Sequence, residues 1–97
     1  MSTAPDLGPF LHAITDPARR RILEALKEKT NSVTAKNGLC AGDIEERVRL
    51  SQPTVSHHMK ILEKAGLIEV KKEGTWRRYH RNEKLIRRMI QALKARI

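Results

Sequence analysis

Gln52, Thr54, Ser56, His57 and Lys60 put an amide, two hydroxyls, an imidazole and an ammonium group within nine consecutive positions. Such groups can meet the edges of base pairs: an amide pairs with adenine, hydroxyls donate or accept, and a lysine reaches guanine or a phosphate. A second chemical set follows close behind. Lys71, Lys72, Arg77, Arg78 and Arg81 supply fixed positive charge suited to the phosphates of a nucleic acid. No nucleophile, base and acid occur together, there is no glycine-rich phosphate loop, and no set of residues closes a metal site, so the chain has no reaction to offer and reads as a non-enzyme without a cofactor. Cys40 and His12 are the weak metal-ligand candidates, two donors where a closed zinc site takes four. The adjacent His57 and His58 do not form a chelating pair on a helix, because neighbouring positions point about 100 degrees apart.

The base-reading groups need a helix, and the sequence writes one. Ser51 can cap it, Pro53 is tolerated in its first turn, and Val55, Met59 and Leu62 recur at i, i+4 and i+7, with Gly66 to end it. That buried side leaves the polar set facing outward. His58 lies beside the apolar side and is expected to pack or hydrogen-bond internally. Upstream, Ile44 and Val48 mark a short helix from about Ala41 to Val48, joined through Arg49 and Leu50, so that 41–65 forms a helix-turn-helix. Downstream, Leu67 to Val70 and Trp76 to His80 read as two strands, with KKEGT as the turn between them. The resulting wing, 67–81, carries the second basic set. Trp76 and Tyr79 are expected to pack within it rather than stack on bases.

Flanking elements complete one domain over 1–97, mainly α with a small β-hairpin. Leu7, Phe10, Leu11 and Ile14 fall at helical spacing over 7–15, and Asp16-Pro17 begins a second helix that buries Ala18, Ile22, Leu23 and Leu26. Arg19, Arg20 and Arg21 read as a solvated basic turn, with a phosphate contact or salt bridge as the alternative. Residues 30–38, TNSVTAKNG, show no period and read as a loop. The last helix, 83–97, lines Ile86, Met89, Ile90, Leu93 and Ile97 along one stripe. With Leu7, Phe10 and Leu11 it offers more apolar surface than a small monomer uses, so these residues are assigned to a dimer interface. The competing reading completes the core of a single chain.

The formal charge of +9 is concentrated at one end. Residues 71–97 hold ten Lys and Arg against Glu73 and Glu83, whereas the preceding seventy are almost balanced. This excess points to a polyanion. With one Phe, one Trp and one Tyr there is no row of rings for single strands, so duplex DNA is the better partner. No apolar run is long enough to span a membrane and no secretory signal is evident, so a cytoplasmic protein is expected. The single Cys40 excludes an internal disulfide and reads as a small buried hydrophobe at a helix start.

The stretches TDPARRRILEAL, LCAGDI and LSQPTVSHHMKILEKAGLIEVKKEGTWRRYH together resemble the ArsR/SmtB family of bacterial and archaeal winged-helix repressors. The resemblance covers roughly residues 7–97. It implies a homodimer joined through the first and last helices, a helix from about Gln52 to Ala65 in the major groove, and wings on the flanking backbone of an inverted-repeat operator. It places the reading side on Gln52, Thr54, Ser56 and His57, with Lys60 on a phosphate. Thiolate sensors of the family carry two Cys separated by one residue around the third helix; here the second place is Gly42. Zinc and nickel sensors carry Asp and His pairs in the last helix; residues 82–97 contain neither. The expectation is therefore a repressor without a complete family metal site and with an unknown inducer. The alternatives are a metal- or redox-responsive repressor using Cys40, and an architectural or interaction module with non-specific DNA affinity. Arg49 stands where the family usually has Gly.

Overall fold

The computed structural model describes residues 5–30 and 38–97. Its elements run α1 (Gly8–Ile14), α2 (Pro17–Thr30), α3 (Ala41–Val48), α4 (Gln52–Lys64), β1 (Ile68–Glu73), β2 (Trp76–Arg81) and α5 (Glu83–Arg96). Most of the loop expected over 30–38 lies outside the described residues.

Local chemistry explains most of the boundaries. Asp16 caps α2, its Oδ1 accepting from the Ala18 amide at 2.7 Å, and Asn82 caps α5 through the Leu85 amide at 3.1 Å. At the end of α4, Gly66 takes φ +79, its amide donates to the Glu63 carbonyl, and the Leu67 amide donates to the Leu62 carbonyl. This pair of bonds is a Schellman motif, and Leu62 and Leu67 are both fully buried beside it, as that motif favours. The turn between α3 and α4 is closed by Arg49 at φ 56 and ψ 47, its amide 2.8 Å from the Glu45 carbonyl.

A single core gathers Phe10 and Ala13 from α1, Ile22 and Leu26 from α2, Ile44 and Val48 from α3, Val55, Met59 and Leu62 from α4, Leu67 and Ile68 at the start of the hairpin, and Ile86 and Met89 from α5. The apolar side read for α3 and α4 is the side buried, whereas Leu11 of α1 and Ile90 of α5 stay exposed.

β1 and β2 pair antiparallel from Ile68 opposite Arg81 to Glu73 opposite Trp76. The first strand is longer than the sequence suggested. Lys71, Lys72 and Glu73 belong to the ladder, and only Gly74 and Thr75 turn the chain, because a two-residue turn lets the pairing run to the tip. The base of the hairpin is fixed by three attachments. Leu39 and Tyr79 exchange backbone hydrogen bonds at 3.1 and 2.8 Å, the Asn82 amide donates to the Leu67 carbonyl at 2.8 Å, and Arg81 donates to the Leu23 carbonyl at 3.1 Å. Gly38 makes the first attachment possible: a Cβ there would collide with the Tyr79 carbonyl oxygen and the His80 ring.

Candidate nucleic-acid interface

α4 separates its side chains by chemistry. Val55, His58, Met59 and Leu62 are buried; Gln52, Thr54, His57 and Lys60 are exposed, and Ser56 is half-buried. The polar set expected from the sequence is thus gathered on one outward side. It is also internally ordered, with Gln52 Nε2 donating to Ser56 Oγ at 3.4 Å. Ser51 occupies the N-cap position in an extended conformation, but its hydroxyl pairs with Thr54 Oγ1 at 2.9 Å instead of a helix amide.

Of the three arginines of α2, Arg19 corrects the reading of a solvated turn, being 6% exposed and 3.9 Å from the Asp16 carboxylate. Arg20 and Arg21 are exposed but rest on helix ends. Arg19 Nε donates to the Ala13 carbonyl at 2.7 Å, its Nη2 to the His12 carbonyl at 3.1 Å, and Arg20 Nη1 to the Ile14 carbonyl at 2.6 Å. Arg21 Nη2 reaches the Val48 carbonyl at 2.7 Å. The last carbonyls of α1 and α3 have no partner within their own helices and carry the negative end of each helix dipole, so guanidinium groups suit both places. Arg19 has a further role. Its Nη1 lies 3.1 Å from His58 Nδ1. A guanidinium only donates, so Nδ1 must accept and the ring proton resides on Nε2.

This arrangement fixes the charge of His58. Burial pushes the imidazole below the ordinary histidine value, Arg19 and His57 push the same way, and the Asp16 carboxylate opposes them without prevailing. At Asp16, burial acts to raise the carboxyl, but the amides of Ala18 and Arg19 and the charges of His58 and Arg19 together hold it low. A buried Arg–His contact therefore ties the corner between α1 and α2 to the inner side of the reading helix.

On the wing, the ladder sets Lys71 opposite Arg78 and Lys72 opposite Arg77. Like charges facing each other across strands are unfavourable by a few tenths of a kcal/mol or more. Lys71 and Arg78 lie on one face and Lys72 and Arg77 on the other, so the ribbon is basic on both sides. Arg81 leaves the phosphate-binding set. It grips Glu83 with two bonds of 2.7 and 3.1 Å while donating to Leu23, which makes it a bracket for the wing. The expectation that both wing aromatics pack is half right: Tyr79 is half-buried, but Trp76 is 61% exposed. Its place in the last rung, beyond the core, is the reason.

The residues assigned to a dimer interface divide. Leu7, Phe10, Ile86 and Met89 are 5, 5, 7 and 9% exposed within the single chain, whereas Leu11 and Ile90 are 38 and 46% exposed. Leu93 is half-buried and Ile97 is exposed. Arg96 donates to the Pro5 carbonyl at 3.3 Å, which brings the end of α5 beside the start of α1. Cys40 is also not the buried hydrophobe expected. It is the half-buried N-cap residue of α3, its thiol 3.1 Å from Asp43 Oδ2 and its amide 3.3 Å from the same oxygen. His12 lies on another element, lining a shallow cleft with Pro9, Ile61, Lys64 and Ala65. Among the described residues, no group of three His, Cys, Asp or Glu side chains gathers in a way that could hold a metal ion. Nor is any described helix long and apolar enough to cross a membrane.

A short helix, a left-handed turn, a helix with an outward polar side and a basic hairpin define a winged helix-turn-helix. The chain belongs to the arsR family of bacterial regulatory proteins, whose family model matches residues 16–70. It is a DNA-binding transcriptional regulator and not an enzyme. An uncharacterized HTH-type transcriptional regulator of Methanocaldococcus jannaschii is 42% identical over 69 residues, covering 70% of this chain and 68% of the relative. The transcriptional repressor SdpR of Bacillus subtilis is 39% identical over 70 residues, covering 72% and 69%. An ArsR-like transcriptional regulator from Rhodococcus sp. RHA1 has the same fold, with a TM-score of 0.74 at 22% identity over 92% of this chain and 76% of that one.

Proposed function

We propose that the protein is a homodimeric repressor that binds an inverted-repeat operator in double-stranded DNA. The observation that carries this reading is the division of α4, which buries Val55, His58, Met59 and Leu62 and turns Gln52, Thr54 and His57 outward beside a hairpin basic on both faces. In this reading Gln52, Thr54, Ser56 and His57 meet base edges in the major groove. Lys60, Lys71, Lys72, Arg77 and Arg78 contact phosphates and supply affinity without sequence preference. The dimer joins through 7–15 and 83–97. Leu11, Ile90, Leu93 and Ile97 carry the contact, because Leu7, Phe10, Ile86 and Met89 already serve the chain's own core. Occupation of one operator by two reading helices would exclude other proteins from that segment, which is the simplest route to repression.

Selection from random duplexes at fixed salt tests the reading. Two reading helices about 34 Å apart should enrich a palindrome with half-site centres about 10 bp apart. Binding without any enriched sequence would instead identify an architectural module. Repeating the selection with zinc, arsenite or an oxidant tests the alternative in which Cys40 acts as a switch: release of the operator by any of them, reversed by chelator or reductant and abolished in Cys40→Ala, would establish it.

A further inference from the structure

We propose that Trp76 is itself a DNA contact, its indole seating in the minor groove next to the segment read by α4, with Lys71 and Arg78 on the adjoining phosphates. This inference rests on the operator-binding reading above and adds to it a residue whose interaction is apolar.

Trp76 is 61% exposed at the end of the hairpin. An indole offers 150–250 Å² or so of largely apolar surface and is usually well buried, so leaving it in water at a tip has no benefit to the isolated chain. Its setting indicates what covers it. Alternation along the ladder puts Trp76 on the same face as its cross-strand partner Glu73 and, two rungs away, the cations Lys71 and Arg78. A flat apolar ring beside cations matches a groove that is about 6 Å wide, walled by sugars and edged by phosphates; apolar wedges are a recurring device of minor-groove binders. An acidic protein surface would satisfy the cations but has no comparable slot for the ring. Single-stranded nucleic acid is a poorer fit, since Phe10 is buried and Tyr79 half-buried, which leaves no second exposed ring to continue a stack.

The hairpin is suited to aim the ring. Its base is held by the Leu39–Tyr79 bonds, by Asn82 on Leu67 and by Arg81 on Leu23 and Glu83, so the tip loses little freedom when it docks. The reading helix and the wing belong to the same core, and a groove helix therefore carries the indole to the flank of its own half-site.

Trp76 is the only tryptophan of the chain, so its emission reports on this one position. The selected duplex, end-labelled for anisotropy, is titrated with wild type, Trp76→Ala and Trp76→Phe over a range of salt, and acrylamide quenching of the wild-type indole is measured free and at saturation. Quenching should fall several-fold in the complex. Trp76→Ala should bind about tenfold more weakly, in line with the loss of one aromatic contact to nucleic acid, and with an unchanged salt slope because no phosphate contact is removed. Trp76→Phe should retain most of the affinity. Hydroxyl-radical cleavage, which attacks sugars from the minor groove, should show protection flanking each half-site that Trp76→Ala loses at saturation. An indole as accessible in the saturated wild-type complex as in free protein, or Trp76→Ala binding within twofold of wild type, overturns the inference while leaving the operator reading intact. Failure of the wild-type protein to bind any duplex overturns both.

Discussion

Arg49 is the one non-glycine residue at positive φ among the described residues, and it sits in the turn that sets the angle between α3 and α4. A left-handed side chain costs roughly 1–2 kcal/mol, part of which a glycine would return to the greater freedom of its unfolded chain. Arg49→Gly is therefore expected to stabilise the fold by about 0.5–1 kcal/mol, read as a higher urea midpoint at constant slope; equal or lower stability would mean that the guanidinium contributes more than the strain costs. His58 behaves oppositely with respect to solvent. Its folded-state value lies below the unfolded value of 6.5. In the window just beneath 6.5 the unfolded chain binds more protons than the folded one, so this residue's contribution is complete above that value and declines as the pH falls toward the folded value. Asp16, held below 3.8, loses its contribution only at a much lower pH and does not enter the same window. Urea midpoints at pH 7.0 and about 5.5 should thus differ more for wild type than for His58→Asn, which keeps an acceptor for Arg19 but cannot titrate. An identical pH dependence in both proteins would remove His58 from the account.

At the scale of elements, α4 and the hairpin are expected to make separable contributions. Gln52→Ala removes a group that can discriminate one base pair and should cost roughly 1–3 kcal/mol at a single operator position while leaving the salt slope unchanged. Arg77→Ala should weaken all sequences alike and lower the salt slope by about one. A selective loss at one base position in Arg77→Ala, measured on a set of singly substituted duplexes, would contradict its role as a phosphate contact. The same two elements show what could be read in advance. The inward side of α4, its end at Gly66 and the cap at Asp16 were legible because each depends on residues within a turn or two of one another. The targets of Arg19, Arg20 and Arg21 were not: which carbonyl a long side chain reaches is decided by where α1 and α3 end in space, which the sequence of α2 does not contain. Arg81 was misread partly for the same reason, since one of its partners, Leu23, is 58 residues away, although the other, Glu83, is a near neighbour in sequence. Trp76 was assigned to packing because tryptophan usually packs, yet the longer β1 carries its rung past the last core residue. A count of how far the ladder could extend before Gly74 would have exposed it.

The whole molecule measures 43 × 26 × 21 Å and carries its positive charge at the wing and along α5, where Arg87, Arg88 and Lys94 surround the apolar stripe. Two such chains joined through α5 would bring like charges together, so hydrophobic contact has to exceed their repulsion. This gives self-association and DNA binding opposite responses to salt. Added salt screens the repulsion within about 8–10 Å at physiological strength and favours the dimer, whereas it weakens operator binding by removing the gain from counterion release. Ile90, 46% exposed in the middle of the stripe, is the place to test the contact. The wild type, at 11.1 kDa per chain, should sediment at twice that mass. Ile90→Glu would put a carboxylate into the apolar contact, at a cost of roughly 3 kcal/mol, and should raise the dimer dissociation constant about 100-fold. Because the new acid also relieves some of the repulsion between the two basic helices, electrostatics acts against the expected result, which makes the substitution a strict test. A dimer that persists in Ile90→Glu at the wild-type concentration would move the interface away from α5, and with it the spacing expected of the two half-sites.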